Sequence, residues 1–279
     1  MDTLITERLQ KILVGDQDLS LAEAALLLAK DEYPALDVDA YLTRLDELAT
    51  RVRARLPEGA NIEDTLVTMN QILFDELGFA GNVDDYYDPR NSFLNDVLDR
   101  KLGVPITLSI LYMDIASRLG LELEGVSFPG HFLVKFSTEE GDVVLDPFCG
   151  GTPLTEEDLV ERLEEATGNE MASNLSINEL LEAANKRDIL VRMLRNLKGI
   201  YLRRQRHDKA LTALHRILLI APDQIEELRE RGELHERLEC FRAARDDYRH
   251  YLERANASMD VVPVRTRLIE VERQLTRYH

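Results

Sequence analysis

From Asp18 to Arg55 the apolar positions recur at helical spacing. Leu21, Ala24, Ala25 and Leu28 share one face of a first predicted helix, and Tyr41, Leu45 and Leu48 share a face of a second. Pro34 separates them, and Asp37 and Asp39 are candidate caps for the second, because a carboxylate can accept the unpaired amide hydrogens of a first turn. A third helix is predicted over 62–77, with Gly78 as the C-cap. The turn formers crowded into GNVDDYYDPRNS (81–92) read as a loop. Two more helices are predicted in 91–120, split at Gly103 and Pro105.

After Gly120 the period shortens. Residues 124–127 and 131–136 read as strands, the second rich in β-favouring Phe, Leu and Val. A turn at 139–142 and a strand at 143–146 complete a hairpin, entered through Phe128-Pro129-Gly130 and ended by Pro147 and Gly150-Gly151. An acidic helix over 155–167 opens on the capping pattern Thr155-Glu156-Glu157-Asp158. Helices, a small antiparallel sheet and more helices predict an α+β, mostly helical domain. From about Asn185 the pattern is helical throughout, and a shift of 34 residues lays Leu194 on Leu228, Ala210 on Ala244, Leu214 on Tyr248, Leu218 on Leu252 and Ala221 on Ala255. The alanines let paired helices approach closely, and Tyr201, Leu202 and Pro222 supply aromatic, core and helix-ending positions. This segment resembles two tetratricopeptide repeats followed by a closing helix over 264–277; a plain helical hairpin bundle is the alternative. The second copy departs from the pattern at His235, where the aromatic belongs, and at Asn256, where the proline belongs.

Charge sharpens the division. The 279 residues carry 34 basic and 52 acidic side chains, a net of −18. Residues 1–187 hold 15 basic and 37 acidic groups, a net of −22, and residues 188–279 hold 19 and 15, a net of +4. Two domains with that boundary are expected. An acidic first domain repels nucleic acid and anionic membrane, so neither is an expected partner. There is no apolar run of about 18 residues to span a bilayer, and MDTLITERLQ does not read as a signal peptide. The two cysteines, Cys149 and Cys240, lack zinc-site spacing, and a reducing cytoplasm is the expected compartment. Neither a phosphate-cradling glycine loop nor an HExxH pattern occurs, so no cofactor and no metal are expected. The basic run Arg203, Arg204, Arg206 and Lys209 lacks interleaved aromatics and reads as a solvated turn or a contact to acidic surface. Cys240 reads as packing, and the five histidines of the tail read as lying on helix surfaces.

His131 is the only histidine in the first 206 residues. It precedes the strand FLVKF, and Asp146 ends the partner strand, so an antiparallel hairpin brings the two together. A carboxylate there would fix the imidazole tautomer, which is two thirds of a nucleophilic triad. A buried histidine held by a carboxylate is equally an ordinary core feature.

The stretches GVPITLSILYMDIASRLGLELEGV, PGHFLVKF and VVLDPF resemble the transglutaminase-like (papain-like) core. Together with AALLLAKDEYPALDVDAYLTRLDEL and NSFLNDVLDRKLGVP they look most like its bacterial SirB-type branch (first member), which couples that core to C-terminal tetratricopeptide repeats. The resemblance implies a cysteine at the start of the core helix and a histidine and an aspartate on adjacent strands. His131 and Asp146 match the latter two. The cysteine position falls at Pro105 or Ile106, neither of which can attack a carbonyl; Pro105 suits a first helical turn, where its missing N–H is not needed. Substitute nucleophiles are Thr107 and Ser109, whose positions point roughly 100–200° away around the helix, and Cys149, three residues beyond Asp146. Asn95, near Asp88, Asn91, Asp96 and Arg100, is a candidate oxyanion donor, with helix capping by Asn91 or Asn95 as the plainer role. The expectation is a non-catalytic, transglutaminase-like pseudoenzyme that binds a protein or peptide partner. The alternative is an active hydrolase or acyltransferase using His131 and Asp146 with Thr107, Ser109 or Cys149.

Overall fold

In a computed structural model, which describes residues 3–13, 19–139, 141–168, 172, 174–256 and 259–277, the most apolar stretch of the chain becomes one of its most buried helices. Seven of the nine residues of α2 (Leu21–Ala29) are buried, and the Ser20 hydroxyl accepts the Glu23 N–H to cap it. Helix α1 (Thr3–Leu13) precedes it and α3 (Val38–Arg53) follows. Asp37 caps α3 by accepting the Ala40 N–H at 3.1 Å, whereas Asp39 pairs with Arg8 at 2.9 Å. The predicted helix over 62–77 is wound in two ways: α4 (Ile62–Asn70) opens on a capping box of Asn61 and Asp64 and continues as a π turn, Gln71–Glu76, before Gly78 at φ 73°. A π turn widens the helix by one residue per turn and re-aims the side chains beside it. Asp18 and Glu140, which fall in the predicted pattern and turn, lie outside the described residues.

Beyond the loop, β1 (Ala80–Gly81) pairs in parallel with β2 (Leu102–Gly103), and a 3-10 turn (Pro89–Ser92) leads into α5 (Leu94–Arg100). Neither Asn91 nor Asn95 caps a helix; Asp88 caps the 3-10 turn instead, accepting the Arg90 N–H at 3.0 Å. Helix α6 (Pro105–Arg118) buries eleven of its fourteen residues. Strands β3 (Glu124–Val126), β4 (Leu133–Thr138), β5 (Gly141–Asp146) and β6 (Thr152–Leu154) form an antiparallel sheet in that order, with Val134 opposite Leu145 and Asp146 opposite Thr152. The strand predicted to start at His131 starts at Leu133, because Gly130 at φ 68° turns the chain and leaves His131 ahead of the ladder. Strand β6 is too short for a period-two pattern and went unpredicted. Helix α7 (Glu156–Thr167), capped reciprocally by Thr155 and Asp158, packs Leu159 and Leu163 onto Val126, Phe128, Leu133 and Val144 of the sheet side. A short helix α8 (Ile177–Leu180) follows, and Ala183 bridges to Val126. No described helix is long and apolar enough to cross a membrane.

The chain divides into two compact units, Met1–Ile189 and Leu190–His279. The second is a run of antiparallel helices: the greater part of α9 (Lys186–Arg203), then α10 (His207–Ile220), α11 (Ile225–Arg237), α12 (Phe241–Arg254) and α13 (Val262–Arg277). Ala210 and Ala244 are fully buried, and so are Leu214 and Tyr248 one turn later. His235 fills the aromatic slot of the second repeat and is buried, contrary to its expected surface position. Its Nδ1 lies 2.9 Å from Asp247 Oδ2, and Arg231 reaches the same carboxylate at 2.5 Å. Cys240, expected to pack, is exposed at the start of α12. In the basic run, Arg206 pairs with Asp208 at 3.1 Å and the Lys209 ammonium stands 5.5 Å from the Tyr201 ring.

Gly232 lets α11 approach α12: a Cβ there would stand 2.6 Å from the Tyr248 ring. That ring is fully buried and its hydroxyl donates to Glu236 at 2.7 Å, so it cannot swing aside. Gly232→Ala is expected to cost about 1–3 kcal/mol of stability despite alanine's better helix propensity, measured as a lower urea midpoint of the full chain. His215 is pushed down to about 4, first by burial and then by the charges of Arg231 and His235. The unfolded imidazole, near 6.5, therefore takes a proton that the folded one refuses. The stability this residue supplies is intact above about pH 6.5 and is lost as pH falls from there toward 4. The ring is part-exposed and screened by water, so the loss is on the order of 1–2 kcal/mol. His215→Gln should flatten that part of the pH dependence of the urea midpoint.

Candidate functional site

Three local structures converge on one carboxylate. The chain turns at Gly130, where a Cβ would stand 2.9 Å from that of Ala166 on α7, and the His131 N–H donates to the Phe128 carbonyl. Burial of Phe132 and Leu133 sets which way the residues beside them face. Asp146, fully buried, ends β5. The His131 Nε2–H donates to Asp146 Oδ1 at 3.0 Å, and the Phe148 N–H donates to the same oxygen at 3.0 Å. Arg162 of α7 brings Nη2 to 2.8 Å from Oδ2. With Nε2 donating, Nδ1 is the ring atom that carries the lone pair in the neutral imidazole.

Burial by itself would raise the Asp146 carboxyl, but the hydrogen bond and charge of His131, with the Arg162 guanidinium, hold it below the usual carboxylate range. Cys149 is exposed, and Arg162 Nη2 lies 3.8 Å from its sulfur. Burial of part of the thiol and the neighbouring Asp146 charge push it up, against the opposing pull of Arg162. A thiol so placed stays protonated near neutrality and is a poor nucleophile.

The turn after Asp146 is latched from two sides. The Phe148 ring lies so close to the Gly81 backbone that no side chain fits there, and it meets the His131 ring edge-on at 5.6 Å. Asn70, at the junction of α4 with its π turn, donates Nδ2–H to the Gly151 carbonyl at 3.1 Å and accepts the Tyr112 hydroxyl at 2.8 Å. Gly151, at φ 72°, leaves no room for a Cβ beside that amide.

The other expected residues lie at the start of α6. Pro105 and Ile106 are buried in its first turn. The Thr107 hydroxyl donates to the Asn91 carbonyl at 2.6 Å and accepts the Val104 N–H at 3.2 Å, so its hydrogen is spent on holding the helix start. The Ser109 hydroxyl is buried with no hydrogen-bond partner, which places it out of bonding reach of the His131 imidazole. Asn95 is buried with Oδ1 likewise unpartnered. Among the described residues no group of three or more His, Cys, Asp or Glu is placed to hold a metal ion. Sequence reasoning missed Arg162, Phe148 and Asn70. Arg162 carried a signal: it is the only basic residue between Lys135 and Lys186.

A helical shell around a small antiparallel sheet, with a histidine ahead of one strand and its aspartate at the end of the next, defines a transglutaminase-like core. Residues 39–195 match the family described as Transglutaminase-like superfamily, and residues 197–269 match Tetratricopeptide repeat. The chain is 41% identical over 266 residues to a UPF0162 protein of Xylella fastidiosa, covering 95% of each chain. It is 28% identical over 236 residues to a UPF0162 protein of Vibrio cholerae, covering 84% of this chain and 86% of the other. A match of 34% over 172 residues to human F-box only protein 21 covers 58% of this chain and 26% of that protein. No solved structure matches. The chain therefore belongs to the transglutaminase-like superfamily and, within it, to the bacterial proteins named UPF0162.

The two members of the pair carry different structural weight. Asp146→Ala strands the Arg162 guanidinium and the Phe148 N–H, and is expected to cost about 3 kcal/mol, the lower end for a broken buried pair because Arg162 reaches water. His131→Ala removes the hydrogen bond to Asp146 and the ring contact with Phe148, about 1–2 kcal/mol for the two. Urea unfolding of the two variants should rank them in that order.

Proposed function

We propose that this protein is a non-catalytic binding module: a transglutaminase-like core that has kept an imidazole–carboxylate pair as architecture and works, in the cytoplasm, by engaging a protein or peptide partner. The observation that carries the reading is the start of α6. Pro105 and Ile106 stand where the resemblance calls for a thiol, and the hydroxyl that follows in the same turn, Thr107, donates to the Asn91 carbonyl. A triad needs a nucleophile within hydrogen-bond reach of its base. The tetratricopeptide repeats over 197–269 support the binding role, since such repeats generally mediate protein–protein interaction.

One observation favours a second reading, acyl transfer from Cys149. Its exposed sulfur shares the Arg162 guanidinium with Asp146, the carboxylate that holds His131. Its protonated state argues against that role. The test is turnover of a glutamine-containing acyl-donor peptide, followed as ammonia release with and without an amine acceptor. No release above the buffer rate is expected from the wild-type chain. Release that disappears with Cys149→Ser or His131→Ala, in variants that still fold by circular dichroism, overturns the binding reading.

A further inference from the structure

We propose that the solvent face of α13 docks on the solvent face of α7 in a second copy of this chain, a heterologous contact through which the protein self-associates. The proposal goes beyond the binding reading above and does not depend on it. Helix α13 has two faces. Val264 and Val271, buried, and Leu268 and Leu275, partly buried, pack with Leu228 of α11 and Tyr248 and Tyr251 of α12. Turned away from these at helical spacing stand Val262, 65% exposed, and Ile269, 52% exposed. A helix needs one apolar stripe to pack on its neighbours, and a second stripe on the water side marks an interaction surface.

Charge frames that stripe. Arg265 and Arg273 lie four residues to either side of Ile269, which keeps both within about 40° of it around the helix. Both are exposed, and among the described residues neither side chain has an ion pair or a hydrogen-bond partner. The carboxylate at the edge of the stripe, Glu272, is taken by Arg249 at 2.6 Å. Helix α7 carries the opposite pattern at the same spacing. Leu159 and Leu163 face the sheet, whereas Val160 is 39% exposed, with exposed Glu156 and Glu164 four residues to either side. Neither of those carboxylates has a partner among the described residues. Glu157, Glu161 and Glu165, also exposed, repeat like charge at i,i+4, which costs a helix stability until a cation answers it.

The two stripes are complements. Laid antiparallel with Ile269 on Val160, α13 sets Arg265 beside Glu164 and Arg273 beside Glu156, with the two helix dipoles opposed. Two β-branched side chains then leave water at the centre, between the ion pairs. The presence of both halves of this match on one chain is what makes a second copy the occupant. Each copy carries a net charge of −18, so copies repel at long range. At physiological salt that field is screened beyond about 8 Å, while charges in contact across the helix pair still attract. A single helix face with two solvent-edged ion pairs is smaller than a standard interface, so the association is weak, with a dissociation constant on the order of 100 μM.

The test is sedimentation velocity of the full chain at physiological salt, over a concentration series that spans this value. Concentration-dependent association is expected from the wild-type chain. Arg265→Glu/Arg273→Glu should abolish it, and so should Glu156→Lys/Glu164→Lys, because each sets like charges against each other. An equimolar mixture of the two variants should associate again, since every α13–α7 contact between unlike copies then pairs opposite charges. Ile269→Ser and Val160→Ser alter only exposed side chains, keep the capping of both helices, and should each weaken association about tenfold. They carry the test if a charge reversal lowers the melting temperature. A wild-type chain that stays monomeric throughout overturns the proposal. So does association that survives both reversals and both serine variants, which places the contact elsewhere, or a mixture of folded reversal variants that stays monomeric. None of these readouts involves the acyl-donor assay, so failure here and failure of the binding reading are distinguishable.

Discussion

A carboxylate taken wholly out of water costs several kcal/mol unless its lone pairs are met, and Asp146 is such a group. Its satisfaction organises the sheet end of the first unit. The groups that meet it come from separate pieces of chain: the bend carrying His131 and the turn carrying Phe148, which both donate to Oδ1, and α7, whose Arg162 guanidinium meets Oδ2 as an ion pair. The Gly151 N–H adds a backbone bond to the Asp146 carbonyl, and Gly130 packs on Ala166 of α7, so the carboxylate sits where these pieces already approach one another. Once fixed, the Phe148 ring can seat on Gly81 and the Gly150-Gly151 turn can meet Asn70. A histidine–aspartate pair of this kind has a structural task whether or not a nucleophile is present. The geometry of such a pair is therefore weak evidence for chemistry.

The same constraint accounts for departures from the repeat pattern in the second unit. Asp247 is buried in α12 and receives Arg231 and His235 from α11. Glu227 is buried in α11 and receives Arg195 and Lys198 from α9. Lys198 stands one repeat length before Gly232, so one helical slot holds a paired ammonium in the first repeat and bare backbone in the second. His235 takes a slot that an aromatic ring would fill, and it can do so because a carboxylate lies opposite. Repeat periodicity survives such exchanges because the volume of the slot is filled and its polar atoms are bonded.

Where the local pattern of residues was strong, it was legible. The alanine–leucine run of α2, the capping box at Thr155 and the alanine pair Ala210 and Ala244 predicted elements that exist. The His131–Asp146 contact was legible because an antiparallel hairpin brings the approach to one strand near the end of its partner. What escaped were side chains that act across the fold: Arg162, Phe148 and Asn70 lie far in sequence from the groups they hold or belong to turns without periodicity. The strand start at Leu133 rather than His131 was hidden for a related reason. Gly130 controls it through a positive φ set by the approach of α7, which is a tertiary fact. Cys240 was misread because a small residue beside a phenylalanine looks like packing, whereas helix starts face water as often as not.

The start of α6 is where fold and function meet. In a helix that activates a thiol, the first-turn amides and the dipole stabilise the thiolate. Here proline removes one of those amides, and Thr107 turns the remaining polar capacity of the turn toward the Asn91 carbonyl. Asn91 spends its side chain in the other direction, on the backbone of Asp85 and Tyr86. The residue that anchors the helix start therefore also anchors the exposed loop.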